Sequence, residues 1–102
     1  MTYEDMLPFQ LRIERDVGVA GLAGDPAYPD RPAYPYAALP IGELGRRGAM
    51  GMNKMGWHWW PGSNALPPQR HEEINPCIRL GTCVTGCPEG AKSTTDRSHW
   101  PR

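Results

Sequence analysis

GLAGDPAYPDRPAYPYAALP, residues 21–40, is a proline- and tyrosine-rich run that limits how much regular structure the chain can form. Proline fixes its own backbone φ angle and pushes the preceding residue out of the helical region, which favours extended, polyproline-like segments. We therefore expect residues 18–40 to be a loop without a hydrogen-bonded ladder, held to a neighbouring surface by its tyrosines. A ligand for an aromatic groove is the alternative. The prolines of the run are Pro26, Pro29, Pro32, Pro35 and Pro40.

The composition is poor in the side chains that build a hydrophobic core. The chain has 102 residues, enough for at most one small domain. Leucine, isoleucine, valine and phenylalanine together supply 15 residues, whereas glycine and proline supply 12 each. Ordinary packed domains hold more than roughly 20% of those four apolar types. A net charge of zero argues equally against a disordered tail, so we expect a loop-rich part of a larger fold.

Several functional classes are disfavoured by charge and hydropathy. Eleven basic and eleven acidic residues leave no electrostatic footprint for nucleic acid. No apolar run approaches the roughly 20 residues that cross a bilayer. The first residues lack the basic and apolar regions of a secretory signal, so we expect no export by that route and a cytoplasmic location by default. Three cysteines cannot form a complete internal disulfide framework, which favours reduced thiols or metal ligation.

The clearest helical periodicity lies in residues 1–17. Thr2 and Asp5 resemble an N-terminal capping arrangement, and Gly18 is expected to end the helix. Pro8 clashes with the carbonyl four residues earlier, so we expect a short turn before it and a proper helix from it to about Asp16. We interpret this helix as a packing element. Its apolar face comprises Met6, Phe9, Ile13 and Val17, flanked by Leu7 and Leu11, and its solvated face comprises Arg12, Glu14 and Arg15.

A second helix is predicted over residues 41–56, with Pro40 near its first turn and Gly56 as its end. Each interior glycine costs about 1 kcal/mol relative to alanine, so this helix should depend on tertiary contacts. Small residues at three-residue spacing let another backbone approach closely, and methionines fill the irregular gaps beside it. The interior glycines are Gly45, Gly48 and Gly51, and the predicted face comprises Ile41, Leu44, Gly48, Met52 and Met55.

Residues 57–76 are predicted to be a strand followed by a loop. Trp57-His58-Trp59-Trp60 is a strand-like burst before a Pro-Gly turn signal, and alternation places His58 on the same side as Trp60. We interpret His58 as a hydrogen-bonded packing residue, with a catalytic or ligand role as the alternative. His71 is interpreted as a solvated loop residue. Residues 91–102 have the character of a truncated helix start, and His99 within them is assigned no role.

Residues 77–90 form a cysteine loop with the spacing Cys77-x5-Cys83-x3-Cys87. Neighbouring glycines permit tight turns, so the three thiols could converge. Zinc is a poor match because structural zinc sites take four ligands and usually include a closely spaced cysteine pair. An iron-sulfur cluster fits better, since the last cysteine precedes proline as in bacterial ferredoxins, and three cysteines suit a three-iron cluster. The alternatives are small buried thiols or a single disulfide.

Two blocks together resemble a known family. Residues 55–66, MGWHWWPGSNAL, precede residues 87–93, CPEGAKS, as in the middle of bacterial glucose-methanol-choline (GMC) type flavin oxidoreductases. The resemblance covers nearly the whole chain. It implies a parent enzyme that oxidises the CH-OH group of an alcohol, sugar or polyol by hydride transfer to FAD. The dinucleotide fingerprint is absent, since Gly18, Gly21 and Gly24 have the wrong spacing, and the family's C-terminal histidine pair is missing. No catalytic or cofactor-binding residue is therefore assigned.

The same resemblance bears on the cysteines. Some bacterial FAD-dependent sugar dehydrogenases that work with a cytochrome carry a three-iron cluster on cysteines of similar spacing. By this resemblance Cys77, Cys83 and Cys87 are the expected ligands, and a cytochrome or another electron acceptor is the expected partner. Leu80 stands where many relatives have another cysteine, which leaves no spare ligand.

These observations lead to an expected fold and two functional interpretations. The expected fold is α+β and loop-rich, with two or three short helices and a short strand pair, as an incomplete part of a larger flavoprotein fold. The first interpretation is an internal segment of a GMC oxidoreductase, inactive alone, that needs the remainder of the flavoprotein or a complementing subunit. The alternative is a small iron-sulfur electron-transfer or interaction module that uses the three cysteines.

Overall fold

A computed structural model describes residues 1–100, and three helices, a two-stranded parallel sheet and long loops make up this part of the chain. The α+β, loop-rich class predicted from the sequence is thus confirmed. The body is flat, with principal extents of 47 × 37 × 20 Å. The elements are α1 (Tyr3–Val17), β1 (Ala20–Gly21), β2 (Tyr36–Ala37), α2 (Glu43–Met55) and α3 (Thr95–Ser98).

Helix α1 is one continuous helix that begins at a capping box. The Thr2 side chain accepts a hydrogen bond from the Asp5 backbone N–H, and the Asp5 carboxylate accepts one from the Thr2 backbone N–H at 2.8 Å. These two bonds satisfy amide donors that the first turn leaves open. The expected break at Pro8 is wrong, because the helix continues through that residue. A helix that is fixed at both ends can forgo the one hydrogen bond that a proline lacks.

The face of α1 that turns toward the rest of the molecule differs from the predicted one. Phe9 is 65% exposed and Ile13 is 52% exposed, so the middle of the expected packing stripe lies in solvent, whereas Val17 at its end is half-buried. The flanking Leu7 and Leu11 are half-buried instead. Glu14, predicted to be solvated, is mostly buried in an ion pair with Arg31. The helix is therefore oriented by this ion pair and the flanking leucines.

A short ladder forms inside the proline-rich run, where none was expected. Strands β1 and β2 pair in parallel, with Ala20 opposite Tyr36 and Gly21 opposite Ala37. None of these four residues is proline, so every amide that the ladder needs can donate. The prolines between the strands lie in the crossover connection, which carries no ladder. The expectation that residues 18–40 lack any ladder is therefore wrong over two residues of each strand.

Helix α2 is slightly shorter than predicted and stands apart from the other elements. It begins after Gly42 and ends at Gly56, a left-handed cap with φ of 67°. Pro40 lies before the N-cap and outside the first turn. Ala49 alone is buried along this helix, and a Cβ built at Gly48 meets no atom within 4 Å. The close backbone approach predicted from the glycine spacing is therefore not made within residues 1–100.

Residues 57–60 do not form the predicted strand. The chain there has no ladder partner, and pairing begins further on, where Ala20 and Asn64 exchange two backbone hydrogen bonds of 2.9 Å. The indoles use their own N–H groups instead. Trp59 donates to the Asn53 side chain at 2.7 Å and Trp60 to the Leu22 carbonyl at 2.8 Å. Indole hydrogen bonds therefore hold this segment in place of a sheet.

His71 is a half-buried residue that joins two segments of the chain. The prediction that it is a solvated loop residue is wrong. Its Nε2–H donates to the Asp16 carbonyl at 3.2 Å, since a carbonyl can only accept. Its Nδ1 then accepts from the Tyr36 hydroxyl at 2.9 Å, and the two rings meet edge to face. One imidazole thus joins the end of α1 to β2. Its loop position gave no sign of these partners, which are distant in sequence.

The buried core is small, as the low aliphatic content predicted. Ile74 and Pro67 are the largest fully buried side chains of the described residues. The other buried apolar residues are small, namely Ala20, Ala49 and Ala91. Hydrogen bonds between loops therefore carry more of the structure than apolar contacts do.

The two left-handed helix caps provide a matched test of the His71 junction. Gly18 and Gly56 have nearly equal φ angles, 70° and 67°. A Cβ at Gly18 would lie 2.8 Å from the His71 ring, whereas a Cβ at Gly56 meets nothing within 4 Å. We expect Gly56→Ala to lower the free energy of unfolding by about 1–2 kcal/mol, the cost of the left-handed conformation. Gly18→Ala should add about 1–3 kcal/mol from overpacking.

Urea unfolding followed by circular dichroism measures both losses. Equal losses for the two variants would show that the His71 ring moves aside freely, and the junction would then be looser than the structure indicates.

Candidate functional site

A cleft of about 540 Å³ lies between the first half of α1, the β1–β2 connection and the segment that follows α2. Its volume lies within the roughly 300–1,000 Å³ range of small-molecule sites. Its walls combine aromatic rings with carboxylate, amide and hydroxyl groups. They include Tyr3, Gln10, Asp25, Tyr28, Asp30, Arg31, Tyr34, His58, Trp60 and Ser63.

A histidine-aspartate pair closes one side of the cleft. The His58 Nε2–H donates to Asp25 Oδ1 at 2.8 Å, and the Asp25 carboxylate is only 14% exposed. The same oxygen accepts the Ala27 backbone N–H at 2.9 Å, which fixes the turn that presents it. The His58 ring stacks on Trp60, with centroids 6.3 Å apart. The hydrogen bond expected of His58 is present, and the alternation that placed it beside Trp60 holds without a strand.

Another part of the cleft wall is held by the Arg31–Glu14 ion pair, which stacks on Tyr34. The Arg31 guanidinium makes two parallel hydrogen bonds to the Glu14 carboxylate, one of them at 2.9 Å. It also lies 3.7 Å from the centre of the Tyr34 ring. The Glu14 hydrogen bond raises the pKa of Arg31 above its ordinary value, so the guanidinium stays charged. The proline-rich connection is thus tied back onto α1 by a planar, bidentate contact.

Sequence reasoning missed Asp25, Arg31 and Glu14 as determinants of this cleft. Each pairs with a residue far along the chain, and neither a motif nor a periodicity connects the partners. The Asp25-Pro26 dipeptide is a turn signal, but it carries no information about the histidine that the carboxylate meets. The cleft is lined by aromatic rings that can stack on a ligand and by carboxylates that can accept hydrogen bonds from it. Within the described residues it includes no assembled catalytic triad.

The cysteine loop, residues 77–90, is held near both ends and at Cys83 by hydrogen bonds to its backbone. The Cys77 N–H donates to the Pro67 carbonyl at 2.8 Å. The Lys92 ammonium donates to the Cys83 carbonyl at 3.1 Å. The Asn75 amide donates to the Glu89 carbonyl at 2.8 Å. All three thiols are free and half-buried. The loop is therefore held at its base while its interior is left without a covalent link.

The three predicted metal ligands line one small cavity. Cys77, Cys83 and Cys87 border a space of about 20 Å³, room for about one water molecule. The buried Thr82 hydroxyl in the same wall has no hydrogen-bond partner among the described residues. No group of three or more histidine, cysteine or acidic side chains in residues 1–100 could hold a metal ion. Cysteine thiolates are the usual ligands of iron-sulfur clusters, and the assignment of these three cysteines as cluster ligands stays a prediction.

Backbone N–H groups surround the thiol of Cys87. The Ala91 backbone N–H, with smaller contributions from those of Lys92, Glu89 and Gly90, lowers the pKa of the Cys87 thiol below its usual range. Backbone N–H groups that converge on one atom favour its anionic form. Cys87 therefore forms a thiolate more readily than an ordinary cysteine does.

Comparison with known proteins places the chain beside a dehydrogenase. No protein-family profile matches it. Over 102 aligned residues, 99% of the chain, it is 35% identical to the 2-methyl-1,2-propanediol dehydrogenase of Mycolicibacterium austroafricanum. The chain spans 18% of the length of that protein. Among residues 1–100, no helix is long and apolar enough to cross a membrane. The similarity thus relates the whole chain to a short part of a dehydrogenase.

Thiol alkylation tests the electrostatics of the cysteine loop. A lowered pKa means that the Cys87 thiolate is already populated at a pH where an ordinary thiol, with a pKa of about 8.5, is still protonated. We expect Cys87 to react with iodoacetamide at lower pH than Cys77 and Cys83 in the metal-free chain. Peptide mass spectrometry after short pulses across a pH series measures each site. Identical pH profiles at the three positions would contradict the arrangement of backbone amides around Cys87.

A lysine substitution tests the ion pair at the cleft wall. Arg31→Lys keeps the charge but loses the bidentate geometry and the stacking on Tyr34. We expect the free energy of unfolding to fall by about 1–3 kcal/mol, the range for a hydrogen bond between charged groups. Arg47→Lys is the control, because Arg47 pairs with Glu43 on an exposed surface. The control should change stability by less than about 0.5 kcal/mol. Urea unfolding of both variants is the measurement, and a similar loss in each would refute the assigned role of Arg31.

Proposed function

We propose that the chain is part of a GMC type FAD-dependent oxidoreductase that oxidises the CH-OH group of an alcohol, sugar or polyol by hydride transfer to FAD. The observation that carries the proposal is the 35% identity to a diol dehydrogenase along 99% of the chain. The paired blocks at residues 55–66 and 87–93, which resemble the middle of GMC enzymes, support the same reaction class. A diol is itself a CH-OH donor, so the two observations agree in chemistry.

Within such an enzyme the chain contributes structure and no catalytic residue. Binding of the FAD pyrophosphate needs a glycine-rich turn between a strand and a helix. The strand-helix turns of residues 1–100 lack this fingerprint. When bound, FAD would accept the hydride, and most of its contacts would come from the remainder of the flavoprotein or from a complementing subunit. The cleft between Asp25 and Arg31 would form part of the surface of that larger protein.

Flavin retention tests this proposal. We expect the purified 102-residue chain to retain no yellow FAD, and the protein encoded by the continuous reading frame around it to bind FAD stoichiometrically. Absorbance spectra after gel filtration measure the flavin, and oxidation of 2-methyl-1,2-propanediol with an artificial electron acceptor measures activity. Flanking sequence without a dinucleotide-binding segment, or a longer protein without flavin, would refute the proposal.

A second candidate is an iron-sulfur module that uses Cys77, Cys83 and Cys87 and transfers electrons to a cytochrome or another acceptor. The specific observation in its favour is that the three thiols border one cavity together with the unpartnered Thr82 hydroxyl. The cavity of about 20 Å³ would have to open for a cluster to enter. The residues between the anchored ends of the loop could provide that movement, because glycines at both turns permit it.

Anaerobic reconstitution decides between the two arrangements of the loop. A chain that binds iron and sulfide, and shows visible charge-transfer absorbance, would support the cluster. The Cys83→Ala variant should then neither bind iron and sulfide nor show this absorbance. A colourless, iron-free product from the unsubstituted chain would refute the second candidate and leave the flavoenzyme proposal untouched.

A further inference from the structure

Helix α2 presents an apolar face that residues 1–100 leave mostly uncovered, although Met52 on it is only 37% exposed. Residues three and four positions apart lie on one side of a helix. Leu44 on this side is 86% exposed and Met55 is 54% exposed. A Cβ built at Gly48 or Gly51 meets no atom within 4 Å. We call this side the glycine-methionine face, and it consists of Leu44, Gly45, Gly48, Gly51, Met52 and Met55.

The opposite side of α2 is polar and solvent-exposed. Glu43 bonds the guanidinium groups of both Arg46 and Arg47 at 2.8 Å in exposed ion pairs. These contacts satisfy the charges locally and need no partner. Helix α2 is therefore amphipathic, and its exposed apolar surface lies on the glycine-methionine face.

The glycines make the nature of the missing contact specific. Glycine is a poor helix former, and three of them in a 13-residue helix weaken it without any gain in the isolated chain. The gain would come from a neighbour that approaches the bare backbone closely. Flexible methionines at the edge of the stripe can adapt to the side chains of such a neighbour.

We propose that the glycine-methionine face docks an apolar segment of the remaining dehydrogenase chain, whose large side chains fill the space over Gly48 and Gly51. This proposal rests on the proposed function above. The occupant follows from the extent of the similarity, which includes all of α2 but only 18% of the dehydrogenase. In a protein of that length, more than four-fifths of the chain lies outside the matched part and is available to cover the face. No charged group lies on the face, so an apolar occupant matches it.

Oxidative footprinting tests the proposal, with two methionines of one helix as an internal comparison. Met50 is 50% exposed on the water-facing side, where its sulfur accepts a weak bond from Arg46, and Met55 is 54% exposed on the glycine-methionine face. Hydroxyl radicals convert accessible methionine to sulfoxide, so both should oxidise at similar rates in the dilute 102-residue chain. In the longer protein encoded by the continuous reading frame, Met55 oxidation should fall roughly tenfold while Met50 oxidation stays unchanged.

A substitution on the face gives a second measurement. Gly48→Leu should leave the isolated chain folded, because its side chain enters open space. In the longer protein the same side chain would displace the docked segment, and Met55 should become oxidisable again. Arg47→Leu on the water-facing side is the control and should leave Met55 protected.

Each outcome bears on one proposal or the other. A longer protein that binds FAD but leaves Met55 as reactive as Met50 would overturn the docking and leave the proposed function standing. Met55 protection in the 102-residue chain that grows with its concentration would assign the face to a second copy and overturn the docking proposal. A longer protein without flavin, in which Met55 is protected and Gly48→Leu restores its oxidation, would keep the docking and remove the flavoenzyme.

Discussion

The structure depends on one short stretch of backbone, residues 14–20, where the end of α1 meets most of the other segments. Three carbonyls of this stretch accept hydrogen bonds from distant segments. The Asp16 carbonyl accepts one from the His71 ring, the Val17 carbonyl one from the Ser93 hydroxyl, and the Val19 carbonyl one from the Tyr36 backbone N–H. Gly18 makes the crossing possible, because its left-handed conformation turns the chain where a side chain would strike the His71 ring. Directional polar contacts at this crossing set the path of the chain, and the small apolar core fills the space around it.

This dependence on polar contacts explains which interactions matter at the cleft. The Arg31–Glu14 pair and the Asp25–His58 pair each join the β1–β2 connection to a different neighbour. Because the connection is too rich in proline to form longer ladders, side-chain pairs give it the fixed shape that a sheet would otherwise supply. The shape of the cleft walls therefore depends on these two pairs. The stacking of Arg31 on Tyr34 further stabilises one of them.

Local signals in the sequence predicted local structure well. The Thr2 cap, the glycine ends of both long helices and the loop-rich class all follow from preferences of one or a few adjacent residues, and the structure has them. The errors concern partners. The sequence predicts His71 in solvent, Glu14 on a solvated face and residues 57–60 in a strand. The structure differs because the groups that bind Glu14, Trp60 and His71 lie 17 to 55 residues away along the chain. Periodicity also identified the apolar side of α1 without indicating that the flanking leucines would face the molecule.

The outward position of the apolar stripes is the property that most separates this chain from an independent domain. A helix in a small globular protein buries its apolar side because hydrophobic burial offsets the loss of conformational entropy. Here Phe9 and Ile13 of α1 and Leu44 of α2 all face outward, while the inward contacts are mostly polar. Such an arrangement leaves the largest favourable contribution to folding unused in the isolated chain. It is expected of a segment whose core residues are shared with the surrounding protein, where the two stripes would become interior surfaces.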